Sequence, residues 1–99
     1  MSRRRHFDVL RRRRMAEPGA EEVYAAARIA FELGQAVRGL REQDGWSQTQ
    51  LARAAGMTQF AVARFEAGGT VPTLVVLERL ARALDRRLGV RFLPAVDTF

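Results

Sequence analysis

The stretch WSQTQLARAAGMTQFAVARFEAGG, residues 46–69, leaves this chain few ways to fold. It holds two short apolar-periodic segments on either side of Gly56, and each opens on a set of helix start signals. Ser47 can serve as an N-cap, and Gln50 three residues later completes a capping box, while Trp46 and Leu51 sit at the two ends of a hydrophobic staple. A helix is therefore expected from Ser47 to Ala55, with Gly56 as its stop. Thr58 can cap the next helix, and Met57 with Val62 repeats the staple at the same spacing. That second helix runs from about Gln59 to Ala67 and ends at Gly68-Gly69.

The flanking sequence continues the helical rhythm. From Ala20 to about Gln43, the residues Val23, Ala26, Ala30, Leu33, Val37 and Leu40 recur at intervals of three and four, which makes one stripe on one long helix. Gly34 lies inside it at a cost of about 1 kcal/mol relative to Ala, so the pattern allows a kink or break there. Gly45 is a natural stop. Pro72 and Thr73 open another helix, in which Leu74, Leu77, Ala81 and Leu84 keep the spacing. Upstream, residues 1–5 read as disordered, His6 to Met15 as a short helix, and Pro18-Gly19 as a break.

The period changes at the other end. In Arg87-Leu88-Gly89-Val90-Arg91-Phe92 apolar residues alternate with Arg and Gly, which is a strand pattern with Leu88, Val90 and Phe92 on one face. A lone strand must find partners for its backbone groups. The economical partner is the same strand of a second copy across a two-fold axis. The exposed edge of another protein's sheet is an alternative, and so is an irregular apolar tail lying on the core.

Charge and composition narrow the function. Net charge is +6, and residues 1–15, with seven Arg and one Asp, carry as much as the whole chain. Residues 16–33 are net −3 and residues 34–88 net +3. A basic arm on a mildly basic domain is an electrostatic footprint for nucleic acid, although a solvated, solubilising tail has the same composition. All 17 basic residues are Arg, a bias that base composition alone can produce. Without cysteine there is no disulfide frame or thiolate site, and a single His, His6, all but removes a histidine zinc site, so no metal or cofactor is implied. No apolar run reaches the roughly 18 residues of a membrane span, and the Arg-rich start lacks a signal-peptide centre, which points to a cytoplasmic protein. No phosphate loop is present, and Ser2 and Ser47 lack a nearby general base, so nucleophilic catalysis has nothing to work with and an enzyme is not expected.

Two helices of two to three turns joined by a glycine-containing turn fit the helix-turn-helix description. Ala52 is small enough for a close crossing, and Leu51, Ala55, Val62 and Phe65 can converge as the buried seam. The second helix then leaves Gln59, Phe60, Ala63 and Arg64 outward, near its N-terminus, where such helices meet base edges in the major groove.

The run SQTQLARAAGMTQFAVARFEAGGTVPTLVVLERLARAL, extended upstream through VRGLREQDGWSQ, resembles the DNA-binding domain of the phage repressor, Cro and XRE family over about residues 34–88. The outer layout, DVLRRRRMAEPGAEEVYAAARIAFELGQAVRGLRE before that domain and RLGVRFLP after it, resembles HigA-type antitoxins of toxin–antitoxin pairs. The resemblance implies an all-α, repressor-like helix-turn-helix bundle with an N-terminal helical extension and a short C-terminal β-strand used in dimerisation. It divides the chain into an arm and extension (1–33), a DNA-binding domain (34–88) and a strand and tail (89–99). Carried over position by position, it makes Gln59, Phe60 and Arg64 base readers, with Ala63 on the same face. Gln can pair with the N6/N7 edge of adenine, Arg with the O6/N7 edge of guanine, and Phe can lie against a thymine methyl. It makes Gln48 a phosphate contact that braces the next helix and Ser47 a phosphate contact through its backbone N–H. Arg53, Thr58 and Thr70 become further phosphate contacts, and Arg41 with Glu66 a buried ion pair between the first helix and the reading helix.

The leading expectation is thus an autorepressing antitoxin that binds double-stranded operator DNA as a homodimer and neutralises a RelE/HigB-like ribonuclease toxin. A stand-alone XRE-family repressor, and an interaction module that never touches DNA, are the alternatives.

Overall fold

The computed structural model describes residues 18–95. Their regular structure is four helices: α1 (Ala20–Gln43), α2 (Gln48–Ala55), α3 (Gln59–Glu66) and α4 (Leu74–Ala83). The Arg-rich arm and the short helix expected over His6 to Met15 lie outside the described residues.

Helix α1 runs for 24 residues without a break at Gly34. It starts with no side-chain cap, but Glu21 and Glu22 stand in its first turn, where the helix dipole favours negative charge. Gly34 has a packing reason rather than a bending one. A Cβ there would stand 2.4 Å from the Phe65 carbonyl oxygen and 2.7 Å from that of Glu66. Glycine therefore lets α1 lie directly on the last turn of α3, and that packing outweighs a propensity cost of about 1 kcal/mol.

The caps of α2 and α3 form as the local sequence requires. Ser47 Oγ accepts the Gln50 N–H at 3.1 Å, and Gln50 Oε1 accepts the Ser47 N–H at 2.8 Å. Thr58 Oγ1 accepts the Ala61 N–H at 3.0 Å, and Thr73 Oγ1 does the same for Val76 at 3.2 Å. Gly56 takes φ 67°, a region that a side chain disfavours. There the Met57 N–H reaches the Ala52 carbonyl at 2.9 Å and the Gly56 N–H that of Arg53 at 3.3 Å, which closes α2 with a Schellman pair of bonds. The turn is then short and its exit angle fixed.

Leu51, Ala52, Ala55, Val62, Phe65, Leu80 and Leu84 form the buried core, with Leu33, Val37, Leu40, Trp46 and Met57 packed on it. Burying each large member contributes about 1.5–3 kcal/mol. The α1 stripe thus docks through its C-terminal half, while Val23 near its start is 71% exposed.

The expected C-terminal strand is not formed. Among the described residues there is no strand, and after α4 the chain continues irregularly to Ala95. Leu88 is half-buried, whereas Val90 and Phe92 are exposed, so the three do not make a dimer strand in this structure. Alternation is a signal of which way side chains point, not a source of backbone partners. A single segment with no ladder beside it, and with Gly89 in its middle, has nothing to hold it extended. The described fold is all-helical; the tail is irregular, as one alternative had it, but Val90, Phe92 and Leu93 stand exposed rather than lying on the core.

Candidate nucleic-acid interface

Because Val62 and Phe65 face the core, the same turns of α3 point Gln59, Phe60 and Arg64 to the surface and leave Ala63 half-buried beside them. Phe60 is 71% exposed and borders a shallow groove with Met57, Arg64 and the loop from Thr70 to Thr73. Arg64 folds back toward that loop, and its Nε donates to the Gly69 carbonyl at 3.2 Å. Its two terminal nitrogens have no partner among the described residues, and they are the pair a bidentate contact uses. A Cβ on Gly69 would come within 3.0 Å of Arg64 Cγ, so glycine there makes room for this pose.

Behind this face lies a polar centre. Arg41 Nε and Nη2 donate to Glu66 Oε2 and Oε1 at 2.6 and 3.0 Å, and Arg41 Nη1 donates to the Trp46 carbonyl at 2.8 Å. Burial pushes the Glu66 carboxyl up, but the Arg41 and Gln48 hydrogen bonds and the Arg41 charge together outweigh it and hold it below its usual range. The Glu66 hydrogen bond raises Arg41 above its ordinary value against the opposing effect of burial. A bidentate pair of this kind fixes geometry more than it adds stability. Here it ties the end of α1 to the end of α3.

The phosphate candidates fall around the N-termini of α2 and α3. The amide of Gln48 is half-buried and engaged on both sides, donating to Glu66 at 3.1 Å and accepting from Gln59 at 2.8 Å. The Ser47 N–H already donates to Gln50, so a phosphate would have to share it. Thr58 accepts with its oxygen and keeps its hydroxyl proton for an outside acceptor. At the start of α3 the N–H groups of Gln59 and Phe60 have no helical acceptor, which suits an anion. Thr70 is exposed on the loop after α3. Arg53 is exposed on α2 and has no carboxylate partner among the described residues.

Three contributors escape a residue-by-residue reading of the sequence. Gln35 Nε2 donates to the Glu66 carbonyl at 3.3 Å, the Trp46 carbonyl accepts a hydrogen bond from Arg41, and Gly69 makes room for Arg64. The first two are long-range or backbone contacts with no local signal. The third has one, the second glycine of Gly68-Gly69, which a helix stop alone does not require.

A capped helix held outward across a glycine turn, on a second capped helix, defines a helix-turn-helix DNA-binding domain. A family model described as a helix-turn-helix domain matches residues 32–90, and the chain belongs to that family. Among solved structures it is similar to the restriction-modification controller protein C.AhdI from Aeromonas hydrophila. The two share 34% identity over 62% of this chain and 88% of that one, with a TM-score of 0.60. A search of curated proteins gave no match. Family and fold together place the chain among XRE-like DNA-binding transcriptional regulators. No helix among the described residues is long and apolar enough to cross a membrane.

Proposed function

We propose that this protein is a sequence-specific regulator that binds an operator of its own transcription unit as a two-fold homodimer. Helix α3 enters the major groove and presents Gln59, Phe60, Ala63 and Arg64 to base edges. Ser47, Gln48, Arg53, Thr58 and Thr70 meet the phosphates on either side. Residues 34–88 form the DNA-binding unit, with 1–33 and 89–99 as its extensions. The observation that carries the reading is the outward face of α3, where Arg64 keeps two free nitrogens and Gln59 a free carbonyl beside it. The likeness to a controller protein supports regulation as the output. The exposed side chains of Ile29, Leu74 and Val90 offer a second copy apolar surface to cover.

Gel shifts with the DNA upstream of the reading frame test this. A specific band is expected, on a site whose half-sites lie about 34 Å apart or a multiple of it. Affinity should fall steeply with salt. Absence of any specific band at moderate salt would sink the proposal. Arg64→Ala is expected to cost about 1–3 kcal/mol on that site and to relax one base position.

An antitoxin role is the second reading. It is supported by Val23, Ile29 and Phe31, which leave the outer half of α1 with apolar side chains in water, a surface on which a RelE/HigB-like toxin could sit. The neighbouring reading frame separates the two. A small ribonuclease gene beside this one favours the antitoxin, and genes for restriction and modification enzymes favour a controller.

A further inference from the structure

Phe60 is the one large apolar side chain that α3 leaves in water. It adds little to the fold, because the inward seam of this helix is Val62 and Phe65, and both are buried. Its companions on the outer face, Gln59 and Arg64, can recognise a base by hydrogen bonds, whereas a phenyl ring has no such bond to offer. The ring nevertheless stands in the first turn of α3, the part of such a helix that reaches base edges. Met57, Val71 and Pro72 line one groove with Phe60 and Arg64, so apolar surface continues beside the ring. Base edges in the major groove are built of donors and acceptors, with a single apolar group among them, the C5 methyl of thymine. Pressing a ring on any other edge strips water from a donor or acceptor and returns no partner, which is unfavourable. The only edge that rewards Phe60 is therefore one that carries a methyl.

We infer that Phe60 reads a methyl group rather than a base, so that 5-methylcytosine satisfies it as thymine does, and the protein's affinity for a site responds to cytosine methylation. Methylation at C5 puts on cytosine the group that thymine carries at the same place. The two bases then differ at C4, where thymine has an acceptor and cytosine a donor, and Phe60 has no group that pairs with either. A site with plain cytosine at this position is a poor ligand, and methyl transfer to C5 of that cytosine improves it. Phe60 is thus a specificity-determining residue, and the ligand class is duplex DNA with a methylated pyrimidine in the major groove. The inference rests on the reading of α3 as the base-reading helix. It differs from a role in which the ring only fills space against DNA or a second copy, because such a ring is indifferent to a single methyl.

Enrichment of a random-sequence duplex library by the full-length protein gives the preferred site. Each thymine of that site is then replaced in turn by deoxyuridine, which removes the methyl and leaves the base pairing unchanged. At one position per half-site the wild-type protein is expected to bind the uracil duplex about fourfold more weakly, the effect of one buried methyl group. Cytosine and 5-methylcytosine are compared at the same position, opposite guanine in both duplexes. The methylated duplex is expected to bind tighter by a similar factor. Phe60→Ala should bring both ratios to near one, with a melting curve close to wild type because the ring is exposed. If no thymine shows the effect, or if Phe60→Ala keeps both ratios and weakens all duplexes equally, the inference is overturned while the reading of α3 stands. A methylated cytosine that binds no better than a plain one also overturns it. If the wild-type protein enriches no sequence, the DNA-binding proposal fails and takes this inference with it.

Discussion

Helix α1 joins two regions built on opposite rules. Where its C-terminal half meets α2 and α3, apolar side chains are buried and polar ones are paired, down to the Arg41–Glu66 contact at 2.6 Å. Among the described residues no buried side-chain polar atom lacks a partner. Where its N-terminal half meets the start of α4 and the tail, the reverse holds. Ile29, Leu74 and Val90 border an open groove of about 500 Å³ and are 49%, 65% and 71% exposed. The first region completes its interactions within one chain, so its geometry is set by folding. The second contributes little within one chain, and its side chains remain largely in water.

The sharpest way to break this contrast is Glu66→Ala. It strands a buried guanidinium, and breaking such a pair costs about 3–5 kcal/mol. Urea unfolding should show it, whereas a loss below about 1 kcal/mol would put the pair on the level of the exposed Arg28–Glu32 and Arg38–Glu42 bridges. The pair also sets a pH dependence. The folded Glu66 carboxyl lies below its ordinary value, so its contribution is present above the unfolded carboxylate range, about pH 4, and is lost as pH falls toward the folded value. Arg41 is raised, so its share is lost only in strong alkali. The wild-type protein should therefore lose stability on acidification more steeply than Glu66→Gln.

Gly34→Ala follows in size. The added methyl would meet backbone carbonyls at 2.4 and 2.7 Å, which cannot swing aside as a flexible side chain would. Overpacking of this kind costs about 1–3 kcal/mol and overrides the better helix propensity of Ala. A thermal melt that rises on this substitution would show that α1 and α3 can separate freely.

How legible each region is from sequence follows the same divide. Ser47, Gln50, Gly56, Thr58 and Thr73 are local signals, and their caps and turn form where the spacing puts them. The seam of Leu51, Ala55, Val62 and Phe65 follows from periodicity and is buried. Nothing local couples Arg41 to Glu66 across 25 residues; that pairing enters only through the family resemblance. The Gly34 approach to Phe65 and the Glu66–Gln48 bond are likewise contacts through space and leave no mark on the pattern. The tail misleads for a different reason. A period of two states which side chains share a face, but a strand also needs a neighbour, and Arg87 to Phe92 has none among the described residues.

Gly39→Ala is the counterpart of Gly34→Ala, on the same helix five residues later. A Cβ there meets nothing within 4 Å, and the residue is exposed. The substitution should stabilise the protein by about 1 kcal/mol, through helix propensity and a less flexible unfolded chain. A shift of several degrees upward in Tm is the expected reading for a domain of this size. Opposite signs from the same change, glycine to alanine in α1, would separate packing from propensity directly.

The smallest expected effect belongs to the outer region. Val90→Ser removes an apolar side chain that is 71% exposed, so little area changes environment and the cost should stay within about 0.5 kcal/mol. The contrast is Leu80→Ala in the core, where the side chain is 1% exposed and about 2–5 kcal/mol should be lost. Both are read by urea unfolding at low protein concentration. If Val90→Ser costs more than about 1 kcal/mol at every concentration, the tail is held by the chain itself and the division between the two regions fails. If the cost appears only as concentration rises, the surface is being covered by a second copy, and stability there is set by mass action rather than by folding.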